Sequence, residues 1–379
     1  MRLKYKRTLQ LIGLISFLCC FTVILRESDQ ESPDFGGENQ VVDSFGLDQR
    51  QTLVGRRSLD EYVDTKAAHD DGRRGRDTLD DDDPGDQYVE LKDSGIKLRL
   101  KPTRAVNPNT LPTQIEDMFI SVKTTKKYHQ GRLDLLLDTW VSLARDQTYF
   151  FTDTNDEYYH KKTNGHLINT NCSQGHNRQD LCCKMSVEYD YFIRSSKRWF
   201  CHVDDDTYLN VPRLVQVLQD YNHTKAWYIG KPSLAHPIEM NDKDRPNQKI
   251  SFWFATGGAG FCISRALALQ MMPHTAGGKL MDICDNIRLP DDCSIGYIIN
   301  HLLKKDLTII RDFHSHLEGL GLLSKKNIHQ HITLSYAPYG NKMNVINVAG
   351  FDQTKDPTRF RSIHCKLHPY TQGCPTGVR

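Results

Sequence analysis

The sequence lacks internal repeats, a large net charge and more than one long apolar run, and each shortage excludes a class of protein. A single apolar stretch in 379 residues is long enough to cross a bilayer, which excludes a multi-pass membrane protein. The lack of repeats and an aromatic content of 9% exclude collagen, a coiled coil and a fully disordered chain. A formal net charge of +2 argues against a dedicated nucleic-acid binder, so no nucleic-acid partner is expected.

Two short motifs are also missing. None of the 11 cysteines are paired as C-x-x-C, which argues against a structural zinc site. The glycine-rich segment 257–260 lacks the G-x-G-x-x-G order, so a Rossmann dinucleotide site is not supported. Nine cysteines lie beyond residue 171, and this odd number leaves at least one free thiol there.

The one apolar run predicts a single-pass signal anchor. Residues 8–25 carry no charge, and the basic flank lies on their N-terminal side. The run is long for a signal peptide and no A-x-A-like site follows it, although a cleaved signal peptide is the alternative. Because the positive side stays cytoplasmic, residues 1–7 are predicted to be a cytoplasmic tail and the rest lumenal.

The segment after the anchor is acidic. Residues 27–112 contain 20 acidic and 12 basic residues, are rich in Asp, Gly, Ser and Gln, and show no sustained periodicity. This composition predicts a disordered lumenal stem over 26–112. Within it, Arg73-Arg74-Gly75-Arg76 resembles a proprotein-cleavage site whose use would release a secreted form; ordinary linker charge is the equal alternative.

From residue 113 onward, apolar strands alternate with helical patterns. Strands are predicted at 118–123, 148–152 and 199–203, and helices at 132–144 and 183–193. This alternation predicts one α/β domain over 113–379, with a mostly parallel central sheet flanked by helices.

The sharpest chemical feature is a strand that ends in three carboxylates, Asp204, Asp205 and Asp206. In an open α/β sheet, ligands bind at the carboxyl ends of the strands. Adjacent carboxylates there need a cation, and oxygen ligands suit Mg²⁺ or Mn²⁺, which stabilises a diphosphate leaving group. The plainer interpretation is a polar loop that caps the next helix.

Two further motifs fit the same site. Asp291 and Asp292 precede a predicted helix, where one carboxylate could cap the helix and the other act as a general base. His314 and His316 alternate at strand spacing, so one face carries one of them, either as a metal ligand or as a structural hydrogen-bonding group. The glycine-rich bend either lets a substrate approach the backbone or allows tight packing.

Together these residues closely resemble the Fringe proteins, a branch of glycosyltransferase family 31, over nearly all of residues 115–379. The segments that carry the resemblance are 122–127, 132–137, 169–173, 183–185, 199–206, 252–264, 288–293, 313–318, 356–360 and 362–365. The resemblance implies a GT-A fold and a Golgi enzyme that uses Mn²⁺. It implies inverting transfer of N-acetylglucosamine from UDP-GlcNAc to the 3-position of O-linked fucose on EGF repeats of Notch.

The resemblance also implies residue roles. Asp206 and His316 match the family's metal ligands, Arg132 and Asp205 its donor-binding residues, and Asp292 its catalytic base. The implied disulfides are Cys172–Cys183, Cys201–Cys262 and Cys365–Cys374, with Cys182, Cys284 and Cys293 left without partners. If the body is lumenal, the sequons at Asn171 and Asn222 are usable for glycosylation.

Two alternatives stay open at this level. One is a family 31 transferase that moves galactose or GalNAc to another acceptor. The other is a secreted, disulfide-bonded binder without enzymatic activity, although such a binder has no need for an Asp triplet, a second Asp pair and a His-x-His motif together.

Overall fold

The computed structural model describes residues 86–90, 97–102 and 112–375 apart from residues 233, 244 and 246, with the first two ranges described as backbone only. The predicted tail, the predicted anchor and most of the predicted stem lie outside these residues and remain predictions. Among the helices of the described ranges, none combines the length and apolar character needed to span a bilayer.

The described residues form short strands and helices in alternation. The strands are β1 (Asp86–Glu90), β2 (Lys97–Pro102), β3 (Met118–Lys123), β4 (Thr148–Thr152), β5 (Leu167–Asn169), β6 (Trp199–Asp204), β7 (Thr207–Leu209), β8 (Tyr228–Gly230), β9 (Ile238–Asn241), β10 (Lys249–Phe252), β11 (Phe261–Ser264), β12 (Leu307–Ile309), β13 (Thr333–Ser335), β14 (Ala337–Tyr339) and β15 (Lys342–Asn344). The α-helices are α1 (Asp134–Asp138), α2 (Glu157–Lys162), α3 (Arg178–Arg194), α4 (Val211–Leu218), α5 (Arg265–Thr275), α6 (Lys279–Ile287), α7 (Asp291–Gly296) and α8 (Phe360–Leu367), with π-helical turns at His129–Leu133 and Tyr297–Leu302.

A seven-stranded sheet in the order β12-β8-β11-β6-β3-β4-β5 forms the centre of the domain. Only β11 runs against its neighbours in this sheet; the other pairs are parallel. This confirms the predicted α/β class with a mostly parallel sheet. Parallel sheets need cover on both faces, and two buried clusters supply it, one on each side of β3 and β6.

The alternation of side chains along the central strands explains the two clusters. In β3, Phe119 joins one cluster, and Ile120 and Val122 join the other. In β6, Phe200 packs with Phe119, at a ring-centroid distance of 6.2 Å, and Cys201 lies on the opposite side. Both strands are therefore covered on both faces and buried along almost their whole length, as is typical of central strands.

The helix predicted at 132–144 is broken in the structure. A π-helical turn precedes α1, and Thr139 leaves the helical region with φ −118° and ψ −118°. The Thr139 hydroxyl donates to the carbonyl of Leu135 at 2.6 Å, a local hydrogen bond of the kind by which Thr competes with a regular helix. The irregular start of this segment carries Arg132 towards the end of the sheet.

Part of the predicted stem also has regular backbone structure. Strands β1 and β2 form an antiparallel pair, with Glu90 opposite Lys97. This pair lies within residues 26–112, for which the composition predicts no regular structure.

Four disulfides tie the domain together. Three are those that the resemblance implies, Cys172–Cys183, Cys201–Cys262 and Cys365–Cys374. The fourth, Cys182–Cys284, joins the start of α3 to α6, and Cys293 is a buried free thiol. Adjacent cysteines in one turn of α3 therefore anchor that helix to two different segments.

The Cys182–Cys284 disulfide is expected to contribute strongly to stability. It links residues 102 apart in sequence, and such a cross-link stabilises mainly by restricting the unfolded chain, here over a loop that Cys201–Cys262 already shortens. We expect the Cys182→Ser/Cys284→Ser double variant to lose about 2–4 kcal/mol of unfolding free energy. Calorimetric unfolding beside a Cys365→Ser/Cys374→Ser control, whose cysteines are 9 residues apart, should show the smaller loss in the control. An equal or larger loss in the control would contradict this expectation.

Candidate active site

A pocket of about 780 Å³ opens where β3 and β6 end. The residues that line it include members of four motifs: the Asp204–Asp206 run, the glycine-rich bend, the Asp291–Asp292 pair and the His-x-His motif. His314 is the one residue of the His-x-His pair that does not line it. The structure brings all five predicted site residues into this pocket: Arg132, Asp205, Asp206, Asp292 and His316.

The first acidic side chain of the pocket, Asp205, is paired with an arginine of the same chain. Asp205 is buried, accepts a hydrogen bond from the Thr124 hydroxyl at 2.7 Å, and pairs with the Arg132 guanidinium. Arg132 also lies 3.7 Å from the centre of the Tyr128 ring. Burial opposes the charge of Arg132, but Asp205, Tyr336 and Asp206 together outweigh burial, and the pKa of Arg132 is raised. Arg132 and Asp205 thus form a fixed pair at the pocket wall.

Asp206 and His316 are linked through a serine. The Ser335 hydroxyl donates to Oδ1 of Asp206 at 3.2 Å, and Nδ1 of His316 lies 3.3 Å from Oγ of Ser335. Since that hydroxyl proton goes to Asp206, Nδ1 of His316 must be the donor, which leaves the lone pair of Nε2 available to a metal. Burial lowers the pKa of His316 and favours this neutral form.

The charge around Asp206 fits a cation. Burial, together with Asp204 and Asp205, raises the pKa of Asp206 to about 7, because the ionised form meets two neighbouring carboxylates. In the described part of the chain, no group of three or more His, Cys, Asp or Glu side chains is placed to hold a metal by itself. Asp206 and His316 are the residues that would hold a divalent cation here, through a carboxylate oxygen and an imidazole nitrogen.

His314, the other histidine of the His-x-His motif, has a different environment. Nδ1 of His314 lies 3.1 Å from Oε2 of Glu318, and its Nε2 lies 3.0 Å from Nδ1 of His331. Both ring nitrogens are therefore engaged in structural contacts, and His314 is absent from the residues that line the pocket.

The acidic pair at the start of α7 divides into two different roles. Asp291 is buried and forms an ion pair with Lys123. Asp292 lines the pocket and accepts hydrogen bonds from the backbone N–H groups of Gly257, at 3.0 Å, and Cys293, at 2.7 Å. Burial, followed by the charge of Asp291, raises the pKa of Asp292. A carboxylate with a raised pKa and access to the pocket is suited to take a proton.

The glycine-rich bend packs between Asp292 and His316. A Cβ on Gly257 would lie 3.5 Å from Cβ of Asp292, and one on Gly258 would lie 3.4 Å from Cε1 of His316. Gly260 has φ +79°, and a Cβ there would lie 2.9 Å from the His202 carbonyl oxygen. The bend is thus closely packed, and it also forms part of the pocket wall.

Several residues of the site are not singled out by the sequence reasoning. Lys123, Thr124 and Lys184 line the pocket, and Ser335 connects Asp206 to His316. A lysine that ends a fully buried strand is a signal for Lys123. Ser335 carries no comparable signal, because it reaches the site through the pairing of β13 with β7, far apart in sequence.

The predicted glycosylation positions lie away from these contacts. Asn171 is exposed, whereas Asn222 is half-buried and its side-chain oxygen accepts a hydrogen bond from the Thr224 backbone at 2.9 Å. Their glycosylation remains a prediction.

Comparison with known proteins identifies close relatives. A family model described as Fringe-like matches residues 113–371. The chain is 54% identical over 287 residues to "Fringe glycosyltransferase" of Drosophila melanogaster, which covers 74% of this chain and 70% of that protein. It is 48% identical over 352 residues to "Beta-1,3-N-acetylglucosaminyltransferase lunatic fringe" of Danio rerio, covering 91% and 93%. It is 52% identical over 266 residues to the radical fringe enzyme of Gallus gallus, covering 69% and 72%.

Proposed function

Since this chain belongs to the Fringe family, we propose that it is an O-fucosylpeptide 3-beta-N-acetylglucosaminyltransferase. It moves N-acetylglucosamine from UDP-GlcNAc to the 3-hydroxyl of O-linked fucose on EGF repeats, and so modulates Notch signalling. The observation that carries the proposal is the arrangement of one pocket. Asp292 packs against Gly257, and His316, which Ser335 links to Asp206, packs against the adjacent Gly258.

The donor side of the proposal rests on Asp206, His316, Arg132 and Asp205. Asp206 and His316 would hold Mn²⁺, which when bound neutralises the diphosphate leaving group. Arg132, fixed by Asp205, supplies positive charge to the same wall. The buried Thr124–Asp205–Arg132 contacts keep these groups in place before the donor binds, so little reorganisation is needed.

The acceptor side rests on Asp292. Its carboxylate takes the proton from the fucose 3-hydroxyl as that oxygen attacks the anomeric carbon from the face opposite the diphosphate. The sugar becomes oxocarbenium-like as the bond to the diphosphate breaks. One base and one good leaving group suffice for a single displacement, which inverts the anomeric centre and gives a beta linkage.

The location of the enzyme is a proposal from the sequence. We propose a single-pass Golgi membrane protein with residues 1–7 cytoplasmic, 8–25 as the anchor and the catalytic domain lumenal. Four disulfides in the described residues fit an oxidising lumen. Cleavage near Arg76 would release a soluble form.

A purified transfer assay tests the proposed function. Transfer from UDP-GlcNAc to an O-fucosylated EGF repeat is expected with Mn²⁺ and is expected to stop in chelator. The same repeat without fucose is the matched control for the acceptor, and UDP-galactose and UDP-GalNAc are the controls for the donor. Preferred transfer from either control donor, or acceptor binding without any Mn²⁺-dependent turnover of UDP-GlcNAc, would contradict the proposal.

A further inference from the structure

The pocket contains more carboxylates than the proposed chemistry uses. Five of them line it, Asp204, Asp205, Asp206, Asp291 and Asp292. The proposed reaction needs Asp206 for the metal and Asp292 for the proton, and Arg132 pairs with Asp205. Asp204 and Asp291 are left, and both face the same lysine.

That lysine, Lys123, is the last residue of β3 and connects the two acidic motifs. Its Nζ pairs with Oδ2 of Asp291 and lies 3.7 Å from Oδ1 of Asp204. The register of the sheet places Lys123 directly beside Asp204, because β3 and β6 end together. Its side chain is only 9% exposed, so the ion pair with Asp291 is little screened by solvent.

The charge state of Lys123 follows from these partners. Burial opposes the ammonium form, but Asp291 and Asp204 outweigh it and raise the pKa of Lys123 above its ordinary value. The ion pair with Lys123 fixes the Asp291 side chain at the first residue of α7. The backbone that follows then places Asp292 against the N–H of Gly257.

We propose that Lys123 is a positioning residue that leaves Asp292 available to act as the base. Lys123 binds the neighbouring Asp291, and it connects the start of α7 to the end of β6, which leads into the metal-binding carboxylate. This inference rests on the proposed function, but the geometry on which it stands is independent of the sugar transferred. The two adjacent carboxylates thus differ because Asp291 has a fixed cationic partner, whereas Asp292 accepts hydrogen bonds from the backbone N–H groups of Gly257 and Cys293.

The charges that face Asp292 determine what removal of Lys123 does. On its own helix these are Asp291 and the Cys293 thiol; from β3 comes Lys123, and from β8 the Tyr228 hydroxyl. Asp291 raises the pKa of Asp292, whereas Lys123 lowers it. Loss of Lys123 leaves Asp291 unpaired beside the base, so the pKa of Asp292 is expected to rise further.

The test measures the pKa of Asp292 in the whole protein in two ways. The first is the carboxyl ¹³C shift of aspartate-labelled protein, assigned with Asp292→Asn, and it needs no catalysis. The second is the acid limb of the kcat/KM profile for transfer. In Lys123→Met we expect both to move to higher pH by about one unit, as for loss of a nearby opposite charge. We expect kcat to fall at least about tenfold, since small misplacement of a catalytic group is costly.

Two companion variants separate positioning from general damage. In Lys123→Met/Asp291→Asn both charges of the pair are gone, so the pKa of Asp292 should return towards that of the unmodified protein. In Asp291→Asn alone it should move to lower pH, because Lys123 then acts on Asp292 without the opposing carboxylate. Asp291→Asn therefore still tests the proposal by the pKa of Asp292 if Lys123→Met does not fold.

The matched control is Lys184→Met. Lys184 is equally buried at the pocket and pairs with Asp153 at 2.8 Å, and it is not among the charges that act on Asp292. Its loss should leave the pKa of Asp292 in place. An unmoved pKa in the Lys123 and Asp291 variants, or an equal shift in Lys184→Met, would overturn the inference. Absence of transfer by the unmodified protein would instead overturn the proposed function, and the ¹³C titration would still decide the role of Lys123.

Discussion

Replacement of Asp292 by asparagine is expected to reduce transfer by about 10²–10⁴-fold, the contribution typical of a general base. An amide has almost the same shape as the carboxylate but takes no proton from the fucose hydroxyl. In the structure Asp292 is the carboxylate of the α7 pair that has no cationic side-chain partner, and burial and Asp291 raise its pKa. Asp291, paired with Lys123, is not the equivalent group.

The same variant should retain its donor site. The dissociation constant for UDP in the presence of Mn²⁺, measured by calorimetry, is expected to stay within about threefold of that of the unmodified protein. Such a change corresponds to less than the about 1.4 kcal/mol that accompanies a tenfold change. Asp282→Asn makes the same chemical change on the exposed face of α6 and should leave both transfer and binding unchanged. Loss of UDP binding in Asp292→Asn would assign Asp292 to the donor site instead of the acceptor hydroxyl.

Replacement of Asp206 by alanine is the second large expected effect. In the proposed metal site, Asp206 and His316 are the two side-chain ligands, so loss of the carboxylate leaves His316 alone, and one imidazole is a weak site for a hard divalent cation. We expect transfer to fall by about 10³-fold, as for other losses of transition-state charge stabilisation, and to lose its response to Mn²⁺.

Metal binding by Asp206→Ala should be measured separately from its transfer activity. In the unmodified protein, Mn²⁺ with UDP is expected to raise the melting temperature, and in Asp206→Ala this shift should vanish. His314→Gln, which changes the histidine that contacts Glu318 and His331, is a matched control within the same motif and should retain the shift. Full activity of the unmodified protein in chelator would refute the assignment of Asp206.

The sequence predicts the components of the site better than their connections. The strand that ends in Asp204, Asp205 and Asp206 and the largely apolar β3 are local patterns, and the fold class follows from the alternation of such strands with helices. Their neighbouring places in the sheet are known from the structure. Asp292 and His316 were assigned by resemblance to a family, and the structure places both in the same pocket. Local pattern alone left the two aspartates of α7 equivalent.

The features that the sequence does not predict depend mostly on contacts between distant parts of the chain. The pairing of Lys123 with Asp291 spans 168 residues and that of Ser335 with Asp206 spans 129, so no periodicity reports them. Cys182 and Cys284 could be matched only once α3 and α6 were seen to pack together. The break at Thr139 is different, because there a local hydrogen bond prevails over an apolar pattern that favours a continuous helix.

The most direct test of the central claim is the structure of the product. The disaccharide unit formed from UDP-GlcNAc and an O-fucosylated EGF repeat should be examined by NMR for the linkage position and the anomeric configuration of the new sugar. A single displacement with Asp292 as base predicts N-acetylglucosamine in beta linkage to the fucose 3-hydroxyl. An alpha linkage, which means retention of configuration, or attachment to another fucose hydroxyl would contradict the account.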